Sequence, residues 1–190
     1  LTQYGQELRG AIIMGTSSGI GMIPINAALL LIRLLILIRG EKHRSPALQK
    51  LVFGSYNRRI TDPATDSDWI SSDPEIVQAY AADPMCRFIF TLSGFRNLLG
   101  VLRFVSLPSW AHQVPKDLPI DLVSGEEDPV GNYGKGPKKV AERLRRAGVK
   151  ELSLTLYPDY RHEPLNEQGR ERVYQDLLDW MEERLPETDL

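Results

Sequence analysis

Apolar residues fall along this chain in two textures. Short runs of strand length stand at Ala11-Ile12-Ile13-Met14, at Leu118, Ile120, Leu122 and Val123, and at Leu152–Tyr157. The first is a continuous apolar run, as expected of a strand covered on both faces, and the other two read as further strands. Longer stretches carry helical spacing. Pro24 opens Ile25–Ile38, interrupted by Asn26 and Arg33 and closed by Arg39-Gly40. It falls short of the roughly twenty apolar residues of a bilayer span, so a buried or partly lipid-facing helix is expected. Asp73-Pro74-Glu75 offers a cap, a first-position proline and a first-turn acid to a helix Pro74–Ala82. Phe88–Val105 repeats apolar residues at helical spacing. Pro137 opens a helix to about Ala147, with Gly148 past its end and Val140, Leu144 and Ala147 facing inward. Val173, Leu177, Met181 and Leu185 mark an amphipathic helix near the carboxyl terminus, and Leu1–Arg9 reads as the last turns of another.

The order of these patterns predicts an α/β fold with helices on both faces of the sheet. Residues 1–22 supply a core strand and flanking loop. Residues 23–117 form an inserted helical cap, and 118–190 complete the core. At 190 residues the chain can bury a real core. A formal net charge of -2 leaves no basic footprint for nucleic acid. The single cysteine, Cys86, cannot form an internal disulfide, which fits a reducing, cytoplasmic setting. Its neighbours Met85, Arg87 and Phe88 read as packing rather than as the surroundings of a nucleophile.

The stretch Leu118–Gly131 runs apolar, then small, then acidic. Ser124-Gly125 is expected to break the strand. Glu126, Glu127 and Asp128 then lie on the loop at its carboxyl end, where open α/β sheets keep their chemistry. Asp128 is preferred because Pro129 fixes the loop behind it; Glu127 is the alternative, and a solvated acidic turn is the plain reading. Past the next strand, His162 sits on a loop between Arg161 and Glu163, placed to serve as a general base. His43, in a basic run, and His112 read as surface or packing residues, and Asp159 as an acid pointing elsewhere. Strand, acid, helix, strand, histidine is the closing order of a Ser–Asp–His α/β-hydrolase.

The nucleophile is less legible. Gly15-Thr16-Ser17-Ser18-Gly19 is a literal G-x-S-x-G after a strand. A nucleophile elbow, however, leads directly into a helix under its strand. Here Ile20-Gly21-Met22 leads through Pro24 into the helical block, which counts against Ser17. The same GTSSGIG fits the glycine turn of NAD(P)-dependent short-chain oxidoreductases. That family also needs a Tyr-x-x-x-Lys pair, and Tyr133 has Pro137 at the lysine position. The oxidoreductase stands only as an alternative.

Several segments carry a resemblance. SGEEDPVGNYGKG (Ser124–Gly136) and LYPDYRHEPLNE (Leu156–Glu167) resemble the acid and histidine loops of α/β-hydrolases of the serine-aminopeptidase-like, lysophospholipase and monoacylglycerol-lipase branch. FGSYNRR (Phe53–Arg59), DSDWISSDP (Asp66–Pro74) and CRFIFTLSGFRNLL (Cys86–Leu99) are similar to the cap of its bacterial members. The resemblance implies hydrolysis of a small-molecule or lipid ester without metal or organic cofactor, with Asp128 as acid and His162 as base. It places the serine in a G-H-S-x-G elbow before Leu1. The 190 residues are then a carboxyl-terminal part, inactive alone. Strand Ala11–Met14 would expose an edge to a missing amino-terminal segment or a second copy. The helices Ile25–Ile38 and Phe88–Val105 are expected to line an acyl pocket. A non-catalytic binding protein built on the same fold is the other functional class.

Overall fold

The computed structural model describes residues 1–185. In chain order its elements are β1 (Ala11–Met14), α1 (Met22–Arg39), α2 (Pro46–Phe53), α3 (Pro74–Ala82), α4 (Leu92–Ser106), β2 (Ile120–Gly125), α5 (Lys135–Arg146), β3 (Leu152–Tyr157) and α6 (Glu171–Glu182). Short 3-10 turns join them, including Tyr56–Arg59, Asp68–Ile70, Pro108–Gln113 and Pro164–Asn166.

The strands form one parallel sheet in the order β1-β2-β3, with Ala11 opposite Ile120 and Ile120 opposite Leu152. Side chains alternate across it, as the two-residue period of a strand requires. Ile13, Ile120, Leu122 and Leu154 turn to one face, where Val140, Ala141 and Leu144 of α5 cover them. Ile12, Met14, Val123 and Tyr157 turn to the other, against Val173 and Leu177 of α6. Helices therefore lie on both faces, as the sequence predicts. Parallel pairing also puts the carboxyl ends of all three strands, and the loops after them, at one edge.

Between β1 and β2 every element is helical; an isolated bridge, Arg44 with Thr91, ties α2's approach to α4's start. Local chemistry explains the starts of the helices. Ser45 accepts from Leu48 N–H, Asp73 from Glu75 N–H and Thr91 from Gly94 N–H, each satisfying an otherwise orphan donor. Within the block, Ile32, Leu48, Leu92, Phe95 and Leu99 make a second core, separate from that of the sheet. Arg143 of α5 reaches across to this block. Its guanidinium donates to the carbonyls of Ser18 at 3.2 Å, Val105 at 2.9 Å and Ser106 at 3.2 Å.

Some expectations are corrected. Leu1–Arg9 holds a single 3-10 turn, Gly5–Glu7, not the end of a helix; Gly5 is packed against Pro115 and Leu8 is already extended. Ser124 and Gly125 do not break β2 but finish it, paired with Leu156 and Tyr157. The fourth helix begins at Leu92 rather than Phe88, and Leu185 lies beyond the end of α6. The largest difference is α1. It is 18 residues long, and length and composition would let it cross a membrane, yet only 11% of it is covered. Ile25 and Ile32 are buried while Leu30, Leu34 and Leu37 face outward. Its apolar residues run all round the helix, so the sequence alone does not choose the face that α4 takes.

Candidate active site

The acid loop and the histidine loop leave neighbouring strands and are laced together by their backbones. Glu126 N–H donates to Tyr157 O at 2.9 Å and Glu127 N–H to Tyr160 O at 2.9 Å. Gly125 makes this approach possible: a Cβ there would lie 2.0 Å from Tyr160 O and 2.2 Å from Arg161 O. No side chain fits at that distance, and backbone carbonyls cannot swing away. Beyond Asp128 the chain doubles back through left-handed Asn132, Tyr133 and Gly134, and Tyr133 N–H closes on Asp128 O at 2.8 Å.

These loops bring Asp128 and His162 together. His162 Nδ1 lies 3.2 Å from Asp128 Oδ1. Asp128 is fully buried, whereas the imidazole keeps 25% of its surface. The same Oδ1 accepts from Val130 N–H at 2.8 Å, and Ser124 Oγ stands 3.5 Å from Oδ2. A carboxylate oxygen accepts, so Nδ1 carries the proton and Nε2 is left with its lone pair. Among the described residues Nε2 has no hydrogen-bond partner. Gly15, at the end of β1 with φ +59°, supports the ring from below: a Cβ there would stand 3.0 Å from His162 Cε1. The imidazole opens into a hollow lined by Met14, Gly15, Glu163, Leu165 and Asn166. Neither α1 nor α4 contributes to that lining.

The helical block supplies the remaining wall. Trp69 packs its ring 5.2 Å from the imidazole, and Tyr56 meets Trp69 edge-on at 5.0 Å. His162 N–H donates to Trp69 O at 3.4 Å and Glu163 N–H to Ile70 O at 2.9 Å. Burial first, and then the Asp128 charge, push the Tyr56 phenol above its ordinary value, so it stays a neutral hydroxyl. Beyond Tyr56 a polar pocket holds Arg59, Glu127, Tyr133, Asp159 and Arg161, with the Arg59 guanidinium stacked 3.4 Å above the Tyr133 ring. Trp69, Tyr56 and the buried carboxylate of Glu167 escape sequence reasoning. The segments that hold them, 53–59, 66–74 and 156–167, are those whose resemblance to hydrolase caps and loops was visible, but no pattern says which side chain turns inward.

The other candidates fall elsewhere. Glu126 and Glu127 are exposed, as are Asp159, His43 and His112. Ser17 sits in an irregular loop, its hydroxyl accepting from Gly19 N–H at 3.1 Å, and makes no hydrogen bond to His162. The whole of this loop, from Gly15 to Gly21, lies between β1 and the first turn of α1, so no elbow forms. The dinucleotide reading of this loop fails on a separate ground. The open side of Gly19, which would admit a pyrophosphate, is filled by Ser106 of α4, 2.1 Å from where a Cβ would stand. Burial and the Asp83 carboxylate push the Cys86 thiol up, which makes it a poor nucleophile. Among the described residues there is no cluster of His, Cys, Asp and Glu able to hold a metal ion.

Comparison with known proteins bears on the family and the fold. The family model described as serine aminopeptidase, S33, matches residues 1–169. The monoacylglycerol lipase of Mycolicibacterium smegmatis is 32% identical over 120 residues, 61% of this chain and 39% of the lipase. A highly thermostable carboxyl esterase from Bacillus coagulans, solved with glycerol, superposes with a TM-score of 0.85 at 29% identity. A lipase in its open form superposes with a TM-score of 0.78 at 26% identity. Each superposition covers 96% of this chain and 59% of the other, so the chain spans well under two thirds of the relatives it matches. With the strand order, the paired loops and this match in hand, the chain belongs to the serine aminopeptidase S33 family of α/β-hydrolases.

Proposed function

We propose that Asp128 and His162 are the acid and the base of a serine hydrolase that cleaves carboxylic esters with an apolar acyl chain, in the manner of a monoacylglycerol lipase or lysophospholipase. One observation carries this reading: a fully buried carboxylate holds Nδ1 of a partly open imidazole and leaves Nε2 unclaimed at the carboxyl edge of a parallel sheet. In this role Nε2 takes the proton of an attacking serine hydroxyl and returns it to the leaving alcohol. Asp128 stays ionised, fixes the tautomer and stabilises the imidazolium between the two steps. Residues 23–117 act as the cap over this edge, and the outward apolar flank of α1 suits a lipid substrate.

In this scheme the serine and the oxyanion donors come from upstream of Leu1, a reading supported by the finding that no hydroxyl among the described residues bonds to Nε2. These residues alone are then without ester turnover, and the free edge of β1 takes the remainder of the sheet or a second copy. The lone thiol fits a cytoplasmic site. The test uses the protein extended upstream of Leu1. A fluorophosphonate probe and monoacylglycerol turnover are measured in wild type, His162→Ala and Asp128→Asn. We expect labelling and turnover in wild type, and a fall on the order of 10⁴-fold in kcat for each variant. A well-folded wild type that takes no label and turns over no ester overturns the reading and makes the chain a binding protein on a hydrolase fold.

A further inference from the structure

Glu167 is a completely buried carboxylate to which the acid–base scheme gives no task. It stands five residues past His162, where the histidine loop meets the segment Asp68–Ser72 of the helical block. Its Oε1 accepts from the backbone N–H of Arg161, the residue immediately before His162, at 2.6 Å. Its Oε2 accepts from Ser72 N–H at 2.8 Å and from the Ser72 hydroxyl. One oxygen therefore holds the histidine loop and the other holds the block. No basic side chain is paired with it among the described residues. Two peptide N–H groups and the Ser72 hydroxyl, with the Ser71 hydroxyl 3.4 Å from Oε2, take the place of the water that burial removes.

Other bonds run across the same seam. Arg161 sends its guanidinium to Asp68 O at 2.6 Å and to Ser71 O at 2.7 Å. The Ser71 hydroxyl donates to Asn166 O at 2.7 Å. The seam ends at His162, whose backbone N–H donates to Trp69 O and whose imidazole has the tilted Trp69 ring beside it. The Asp128 contact is a single bond of 3.2 Å, at the long limit for N–H to oxygen. One bond of that length leaves the ring free to tilt about it. The tilt is limited by Gly15 below and Trp69 beside the ring, and Trp69 is held three residues from Ser72.

We infer that Glu167 is a positioning residue for His162: it locks the Trp69–Ser72 segment to the histidine loop and so fixes the plane of the imidazole. The inference rests on the acid–base reading for its catalytic consequence, though not for its structural one. The protein extended upstream of Leu1 is compared with Glu167→Gln, Glu167→Ala and Ser72→Ala. Three quantities are followed: kcat and KM on a short soluble ester, the ring-nitrogen shifts of His162 against pH, and amide exchange at Arg161, His162 and Ser72. Glutamine keeps the volume and one acceptor but turns an NH2 toward a donor. It should lower kcat about tenfold, and alanine on the order of a hundredfold, because a displacement of about 1 Å is that costly to a reacting pair. KM should hold within about threefold, and exchange at Arg161 and Ser72 should accelerate. Ser72→Ala removes one donor from an exposed residue and keeps the test open if the Glu167 variants do not fold; its kcat should fall about threefold.

Packing alone would let Glu167→Gln match wild type in kcat, ring shifts and exchange, and that result overturns the inference. Unchanged exchange at Arg161 with unchanged kcat in Ser72→Ala overturns it equally. Should wild type hydrolyse no ester while Glu167→Gln still shifts the His162 ring nitrogens, the hydrolase reading fails and the positioning role stands. Should wild type hydrolyse ester while every Glu167 variant equals it, the positioning role fails and the hydrolase reading stands.

Discussion

All six residues of β2 are buried, whereas the 18-residue α1 fully covers only Ile25 and Ile32. The two regions keep their shape by different means. In β2 every side chain is buried, with α5 over one face of the sheet and α6 over the other, and the backbone is paired on both sides. Position is then set by burial on two faces, and little freedom remains. The helical block has its own small core around Phe95 and meets the sheet through Trp110, Ala111 and Val114, which join the sheet's core, and through polar contacts at Arg143 and Glu167. The reacting pair lies where the regimes join. Asp128 belongs to the rigid one, and the imidazole is shared between them.

The sharpest way to break this contrast is Gly125→Ala. The new methyl would meet two backbone carbonyls at about half the normal contact distance, and neither can rotate away. We expect a loss of about 3 kcal/mol in chemical denaturation, with Asp128 drawn away from His162 as the loops part. A smaller effect is expected in the block. Asp68 gathers Ala64 N–H at 2.9 Å, Thr65 N–H at 2.8 Å and the Thr65 hydroxyl at 2.6 Å. Burial acts to raise its carboxyl, but these bonds and the Arg161 charge outweigh it and hold the group below its ordinary value. A depressed folded value means stability that is present above the unfolded value of about 3.9 and lost as pH falls through the folded one. Asp68→Asn should therefore cost about 1 kcal/mol at pH 7, with the gap from wild type closing in strong acid. Urea melts at both ends of that range check it, and a gap that widens in acid counts against the assignment.

The smallest effect on stability is expected on the outer face of α1. Leu37 is 83% exposed and Leu30 58%. Changing either to Asp should alter stability by less than about 0.5 kcal/mol. Turnover of long-chain emulsified esters should fall relative to short soluble ones. Equal rates across acyl lengths in both versions would separate this flank from substrate.

The difference between the regions also governs what the sequence reveals. Ala11–Met14 and Leu152–Tyr157 are read to the residue, the first from an unbroken apolar run and the second from Leu152, Leu154 and Leu156 alternating with Ser153 and Thr155. The acid and histidine loops are legible because they follow those strands. Ser124-Gly125 misleads because small residues at a strand end look like a break, when here they admit a neighbouring loop. In α1 the apolar residues point every way, so composition cannot tell the covered face from the bare one. Glu167 and Trp69 stay hidden for another reason. Their roles depend on a meeting of segments some ninety residues apart, and no local pattern records it.

The Arg143 clamp has a mechanical consequence. It gathers the carboxyl end of α4 and the loop after β1, while the Glu167 seam holds the far side of the same block. Trp69 stands beside the second tie, three residues from Ser72, so a break there is expected to reach the imidazole before a break at Arg143 does.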